Sequence, residues 1–168
     1  EIIDFYQQPQ VARESGVVRI PAIILSNSGA SRIKFYGCPI GYPLATVVEG
    51  IKTVSRGVSP LSMGTRKSLR QVNQPVHIQV FVTPSDTSCP GVARLAHAFA
   101  LDCHKITSDV LEVQEYPDLG KAYSVRSVPT TVINEHVRLA GAITETQLLE
   151  KVLQVGVGTT QEAKVAAD

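Results

Sequence analysis

The stretch from Val76 to Phe99, VHIQVFVTPSDTSCPGVARLAHAF, does most to limit what this chain can fold into. Val76 to Val82 is an apolar run of strand length, a short polar elbow follows, and a helix begins near Cys89. In that helix Cys89, Val92, Ala96, Phe99 and Cys103 recur at spacings of three and four, so they share one face. A buried strand running straight into a helix with one apolar stripe needs a sheet beneath that stripe. The fold class is therefore α/β.

Cysteine at such an elbow is the arrangement of thioredoxin-like redox proteins. Their dithiol chemistry uses two cysteines two residues apart: one exposed thiolate attacks a substrate disulfide and the second resolves the mixed disulfide. Here the elbow holds Cys89 alone. With Cys89 as the first cysteine, Val92 stands in place of the second; with Cys89 as the second, Asp86 stands in place of the first. The stripe favours the latter, because Cys89 begins the core-facing row and suits a sheltered resolving thiol. Asp86 sits just before the turn, where its carboxylate can accept from the N–H groups of Ser88 or Cys89 as a helix cap. The site reads as a CxxC motif changed to Asp86-Thr87-Ser88-Cys89.

The segments IKFYGCPIGYP, VEGIKTVSRGVSPLS, VHIQVFVTP, RLAHAFA, VPTTVINE and GAITETQLLEKV resemble the tandem glutaredoxin-like protein disulfide oxidoreductases, over nearly everything from Ile2 to Val155. In that family Val82-Thr83-Pro84 would be followed, after one residue, by Cys-Pro-Tyr-Cys-Pro. The resemblance thus places the family's nucleophile at Asp86 and its resolving cysteine at Cys89, before Pro90. It also implies that the Val128-Pro129 bond is cis and faces the elbow, where the Val128 backbone would pair with an extended substrate peptide. Ile20-Pro21 should be cis as well. Thr87 and Ser88 flank the same groove, and the partners implied are polypeptides or protein thiols and disulfides. A second reading resembles peroxiredoxins, whose attacking cysteine matches the Cys89 position and lies near a Thr or Ser; Cys89 would then act as a single-thiol reductase or peroxidase, or together with an upstream dithiol. Burial and the Asp86 carboxylate raise a thiol pKa while a helix start lowers it, so an unreactive Cys89 is expected.

Glu1 to Gln71 reads as part of one thioredoxin-like unit lacking its opening strand and helix. Its elements are a strand at Ile2 to Tyr6, a helix at Pro9 to Ser15, strands at Ala22 to Leu25 and Arg32 to Tyr36, and a helix at Leu44 to Ser55. Val72 to Val155 reads as a complete βαβαββα unit, with strands at Val76 to Val82, Val110 to Glu115, Thr130 to Asn134 and Val137 to Ala140. Its helices run from the elbow to Asp102, from Pro117 to Tyr123 and from Glu145 to Leu153. Gly156 to Asp168 has no apolar period and reads as a mobile tail. The patterns Val17-x-x-Ile20-Pro21 and Val125-x-x-Val128-Pro129, each entering a strand, tie the units together as a duplication. Without its opening strand the first unit leaves an unpaired edge, which a segment upstream of the non-Met start, or a homodimer, would cover.

Net charge of +1 gives no electrostatic case for nucleic acid or acidic membranes. No apolar run approaches the roughly 20 residues that span a bilayer. Three cysteines at unrelated positions make no disulfide framework and favour a reducing, cytoplasmic compartment. Cys89 and Cys103 lie about 21 Å apart along a continuous helix, too far to bridge. Cys38 reads as a half-exposed loop residue. No cofactor is implied, and neither is a metal: His77, His97, His104 and His136 lack ligand spacing, and His77 and His97 read as packing or surface residues.

Overall fold

The computed structural model describes residues 1–26 and 32–158. Along the chain the elements are α1 (Pro9–Glu14), β1 (Ala22–Leu25), β2 (Ile33–Tyr36), α2 (Tyr42–Arg56), α3 (Met63–Leu69) and β3 (Val76–Val82). They continue with α4 (Cys89–Asp102), β4 (Ile106–Glu112), α5 (Pro117–Ala122), β5 (Thr130–Ile133), β6 (Val137–Ala140) and α6 (Glu145–Gly156). All six strands join one mixed sheet in the order β1-β2-β4-β3-β5-β6. β3 and β4 run parallel through the crossover helix α4, and β5 and β6 extend the sheet as antiparallel neighbours, which is the βαβαββα order expected from Val76 onward. β2 lies parallel to β4, so the N-terminal stretch adds β1 and β2 to the same sheet.

Strand alternation sorts the core into two layers. One face carries Ile33, Phe35, Ile78, Val80, Val82, Ile106 and Val110, covered by α2, α4 and α6 through residues such as Val47, Val54, Ala96, Phe99 and Leu148. The opposite face carries Tyr36, Phe81, Leu111 and Val132, packed by Tyr116, Leu119 and Tyr123 around α5. Phe81 and Tyr123 meet with ring centroids 5.3 Å apart. Helix termini are tied in by their own sequence: Thr144 and Gln147 form a capping box at α6, and the Ser62 hydroxyl accepts from the Thr65 N–H at α3.

Two sequence expectations are corrected. No strand forms at Ile2 to Tyr6: Ile2 and Tyr6 are 99% and 79% exposed, and the Tyr6 and Gln7 N–H groups both donate to Asp4 Oδ1 at 2.9 Å. Asp4 satisfies this backbone locally, so the segment turns on itself and adds no strand to the sheet. The strand expected at Val110 to Glu115 begins four residues earlier and ends at Glu112. There Ser108 and Asp109 are buried despite being polar; Asp109 faces Lys34 across β2 at 3.8 Å and accepts from His77 Nε2 at 2.8 Å. The tail expected to be mobile lies outside the described residues from Thr159 onward, while Gly156 still belongs to α6.

Candidate functional site at the elbow

β3 ends at Val82, the chain turns through Thr83 to Ser88, and α4 starts at Cys89 with Pro90 in its first turn, where a missing N–H costs nothing. Asp86 Oδ1 accepts from the Ser88 N–H at 2.8 Å and from the Cys89 N–H at 3.0 Å. The carboxylate therefore takes up two donors that the helix start leaves free, as the sequence suggested. Hydrogen bonds from Ser88, its side chain first and then its backbone, hold the Asp86 carboxyl below the usual range.

Cys89 is 1% exposed. Phe35, Pro43, Thr46, Val82 and Val110 line a gap beside it that has no room for a water molecule. Burial pushes the thiol up to about 11; the Asp86 charge and hydrogen bond add to the rise, and a bond with the Thr83 backbone opposes it. The cover from Pro43 and Thr46 comes from α2, which sequence reasoning did not bring to the site. Its start is fixed on the elbow where the Tyr42 N–H donates to the Pro84 carbonyl at 3.4 Å. The alternation of Pro43, Val47, Gly50 and Val54 on one face of α2 was the available signal for that packing.

The other expected residues are placed as follows. Thr87 is exposed and Ser88 half-buried at the outer rim of the elbow. The Ile20–Pro21 and Val128–Pro129 bonds are both cis, as the resemblance implied. Phe81 pairs with Thr130, so Pro129 lies one residue past the last pair, at the sheet end from which the elbow emerges. Pro129 is buried, Val128 half-buried against the main core. The two aliphatic-proline segments make the same backbone contact: the Gly141 N–H donates to the Pro129 carbonyl at 2.7 Å, and the Gly37 N–H to the Pro21 carbonyl at 3.0 Å. Gly37 is held at φ +119° with Glu112 Cβ only 2.8 Å from where a side chain would start, a position closed to other residues. Cys38 beside it is exposed, and its N–H donates to Glu115 Oε1 at 2.6 Å. Cys103 is buried with its thiol toward the Leu69 carbonyl at 3.8 Å, and all three cysteines are free.

A second hollow of about 410 Å³ opens between α2 and α4, lined by Gly50, Val54, Leu61, Arg94, His97 and Leu101 among others. His97 is 5% exposed, and neither ring nitrogen has a hydrogen-bond partner at normal geometry. Burial lowers its pKa to about 4, with the Lys34 backbone and the Asp109 charge pulling the other way. Among the described residues no three His, Cys, Asp or Glu side chains converge as metal ligands would, and no helix is long and apolar enough to cross a membrane.

A sheet of this order with an elbow leading into the helix between its two parallel strands defines the thioredoxin-like class. The thioredoxin domain family matches residues 76–154. Thioredoxin from Methanocaldococcus jannaschii is 31% identical over 78 residues, which cover 46% of this chain and 92% of that protein. The chain belongs to the thioredoxin family. Among solved structures, a protein disulfide oxidoreductase from Aeropyrum pernix aligns over 90% of this chain with a TM-score of 0.83 and 29% identity. This chain spans 66% of that oxidoreductase's length. The N-terminal domain of the alkylhydroperoxide reductase subunit AhpF from Enterococcus faecalis shares the fold, with a TM-score of 0.83 at 23% identity over 90% of this chain and 73% of that one.

Proposed function

We propose that this protein, related to the thiol:disulfide oxidoreductases, is a polypeptide-binding member of its family whose elbow no longer runs the dithiol cycle. The observation that carries the reading is the Asp86 carboxylate, committed to the N–H groups of Ser88 and Cys89 at the position that the resemblance assigns to the attacking cysteine. Reducing a substrate disulfide takes two electrons from two thiols: the first forms a mixed disulfide, and the second displaces the substrate sulfur as a thiolate. Cys89 alone can supply one of these bonds, and its burial opposes even that. Thr87 and Ser88 at the elbow, with the cis Val128–Pro129 bond, are the residues assigned to bind an extended polypeptide. Free Cys38, Cys89 and Cys103 support a reducing, cytoplasmic setting.

The test is insulin reduction with dithiothreitol for the natural chain and for Asp86→Cys. The natural chain should match the uncatalysed rate, and the variant, with CxxC restored, should exceed it by at least an order of magnitude. Turnover by the natural chain would overturn the reading in favour of single-thiol catalysis at Cys89. Binding is tested separately by adding reduced, carboxymethylated lactalbumin, an unfolded polypeptide, to isotope-labelled protein. Amide shifts should concentrate at Thr87, Ser88 and Val128; none there would remove the binding half of the proposal.

A further inference from the structure

The hollow between α2 and α4 shares no lining residue with the wall of Cys89, and its own walls and floor come from described residues between Ile33 and Glu145. Its volume of about 410 Å³ falls within the roughly 300–1,000 Å³ usual for small-molecule sites. The depth comes from Gly50 on α2: a Cβ there would lie 3.9 Å from His97 Nδ1, so the missing side chain leaves room above the imidazole. The polar groups around this space are spent, with two exceptions. Glu49 closes on Lys52 at 2.8 Å, the Thr53 hydroxyl donates to the Glu49 carbonyl at 2.8 Å, and Glu145 accepts from the Ser62 N–H and hydroxyl at 3.1 and 2.6 Å. Arg94 is exposed and makes neither hydrogen bond nor ion pair among the described residues; its charge reaches Glu49, whose carboxylate Lys52 already holds. His97, one turn further along α4, is 5% exposed, and neither ring nitrogen has a partner at normal geometry. Buried polar atoms without partners are uncommon, which marks the space over His97 as a vacancy in the packing rather than a plain seam between helices.

We propose that this hollow binds a small monocarboxylic acid, its carboxylate on the Arg94 guanidinium and its aliphatic or single-ring body against Gly50, Val54, Leu61 and Leu101. A guanidinium has donors and no acceptor, and its planar fork matches the two oxygens of a carboxylate. Glu49 and Glu145 also line the hollow, so a head group with two negative charges would be repelled and one with a single charge suits the site. Burial keeps His97 uncharged, so the floor offers no second cation and the charged end of the ligand belongs at Arg94. The rest of the wall, from Val54, Leu61, Leu95 and Leu101, offers apolar contact to the body. The inference does not rest on the thiol chemistry of the elbow.

Octanoate titrated into isotope-labelled protein, below its micelle-forming concentration, tests it by nuclear magnetic resonance. The expected result is saturable shifts at the amides of Gly50, Leu61 and Arg94 and at the His97 ring, with the rings of His77, His104 and His136 unmoved. Arg94→Gln, at an exposed position, should keep the spectrum of the folded chain and weaken binding by about tenfold, the worth of one charge-assisted hydrogen bond. Octan-1-ol and octylamine should bind the natural chain no better than octanoate binds that variant. The absence of saturable shifts, or shifts centred elsewhere, such as on Thr87 and Ser88 at the elbow, would overturn the proposal. So would octan-1-ol or octylamine binding as well as octanoate, or an Arg94→Gln chain that binds as tightly as the natural one.

Discussion

Two buried side chains, Cys89 and His97, are both held uncharged by desolvation, and each makes a pH prediction. With its thiol pushed up to about 11, Cys89 carries roughly 300-fold less thiolate at neutral pH than a free cysteine of pKa about 8.5. Iodoacetamide at pH 8 should modify Cys38 first and leave Cys89 untouched until the protein unfolds, read peptide by peptide by mass spectrometry. Native modification of Cys89 with an apparent pKa at or below that of a free thiol would contradict the burial argument. For His97 the folded pKa lies below the unfolded one, so the unfolded chain binds the extra proton. Its contribution is present above about pH 6.5 and is lost as the pH falls toward 4, up to about 3 kcal/mol. Between pH 6.5 and 5, above the carboxylate range, His97→Leu should flatten the fall in the urea midpoint; a slope equal to the natural chain's would show another group responsible. The Asp86 cap was legible because a short carboxylate before a helix has one obvious use. The depth of His97 was not, since a single histidine on a helix flank does not reveal that α2 closes over it.

At the scale of elements, what was legible tracked whether a segment's neighbours were near in sequence. β3, α4, β5 and β6 carry their apolar periods openly and form where their patterns put them. Ile2 to Tyr6 has strand-forming residues but Asp4 draws its backbone into a local turn, and the start of β4 hides behind Ser108 and Asp109, whose backbones pair with β2 only once it lies alongside. The seating of α2 has the same long-range origin and can be probed with glycine. A Cβ on Gly50 would stand 2.5 Å from Leu25 Cδ1, so Gly50→Ala should cost about 1–3 kcal/mol by forcing α2 off β1. A Cβ on Gly91 in α4 would meet nothing within 4 Å, and Gly91→Ala should stabilise by up to about 1 kcal/mol through helix propensity. Chemical denaturation of the two variants checks both signs; equal effects would mean that the α2 contact relaxes freely.

For the whole molecule, the duplication read from the two aliphatic-proline segments invites the expectation of two units that melt apart, but the packing argues otherwise. β2 from the N-terminal stretch is hydrogen-bonded to β4, and Leu25, Phe35, Val47 and Val54 share one core with Val80, Ala96, Phe99 and Val110. Removing the first group would strip one flank of β4 and uncover Cys89, whose wall includes Phe35, Pro43 and Thr46. Neither stretch can then lose its structure without exposing the other's apolar surface, and that shared surface makes unfolding cooperative. Calorimetry should show one transition with a calorimetric to van't Hoff enthalpy ratio near one, and Phe35→Ala, on β2, should lower the single midpoint by an amount matching a core cavity of about 3–5 kcal/mol. Two resolved transitions, with Phe35→Ala moving only the earlier one, would mean that the β2–β4 junction is an interface between independent units rather than the middle of one sheet.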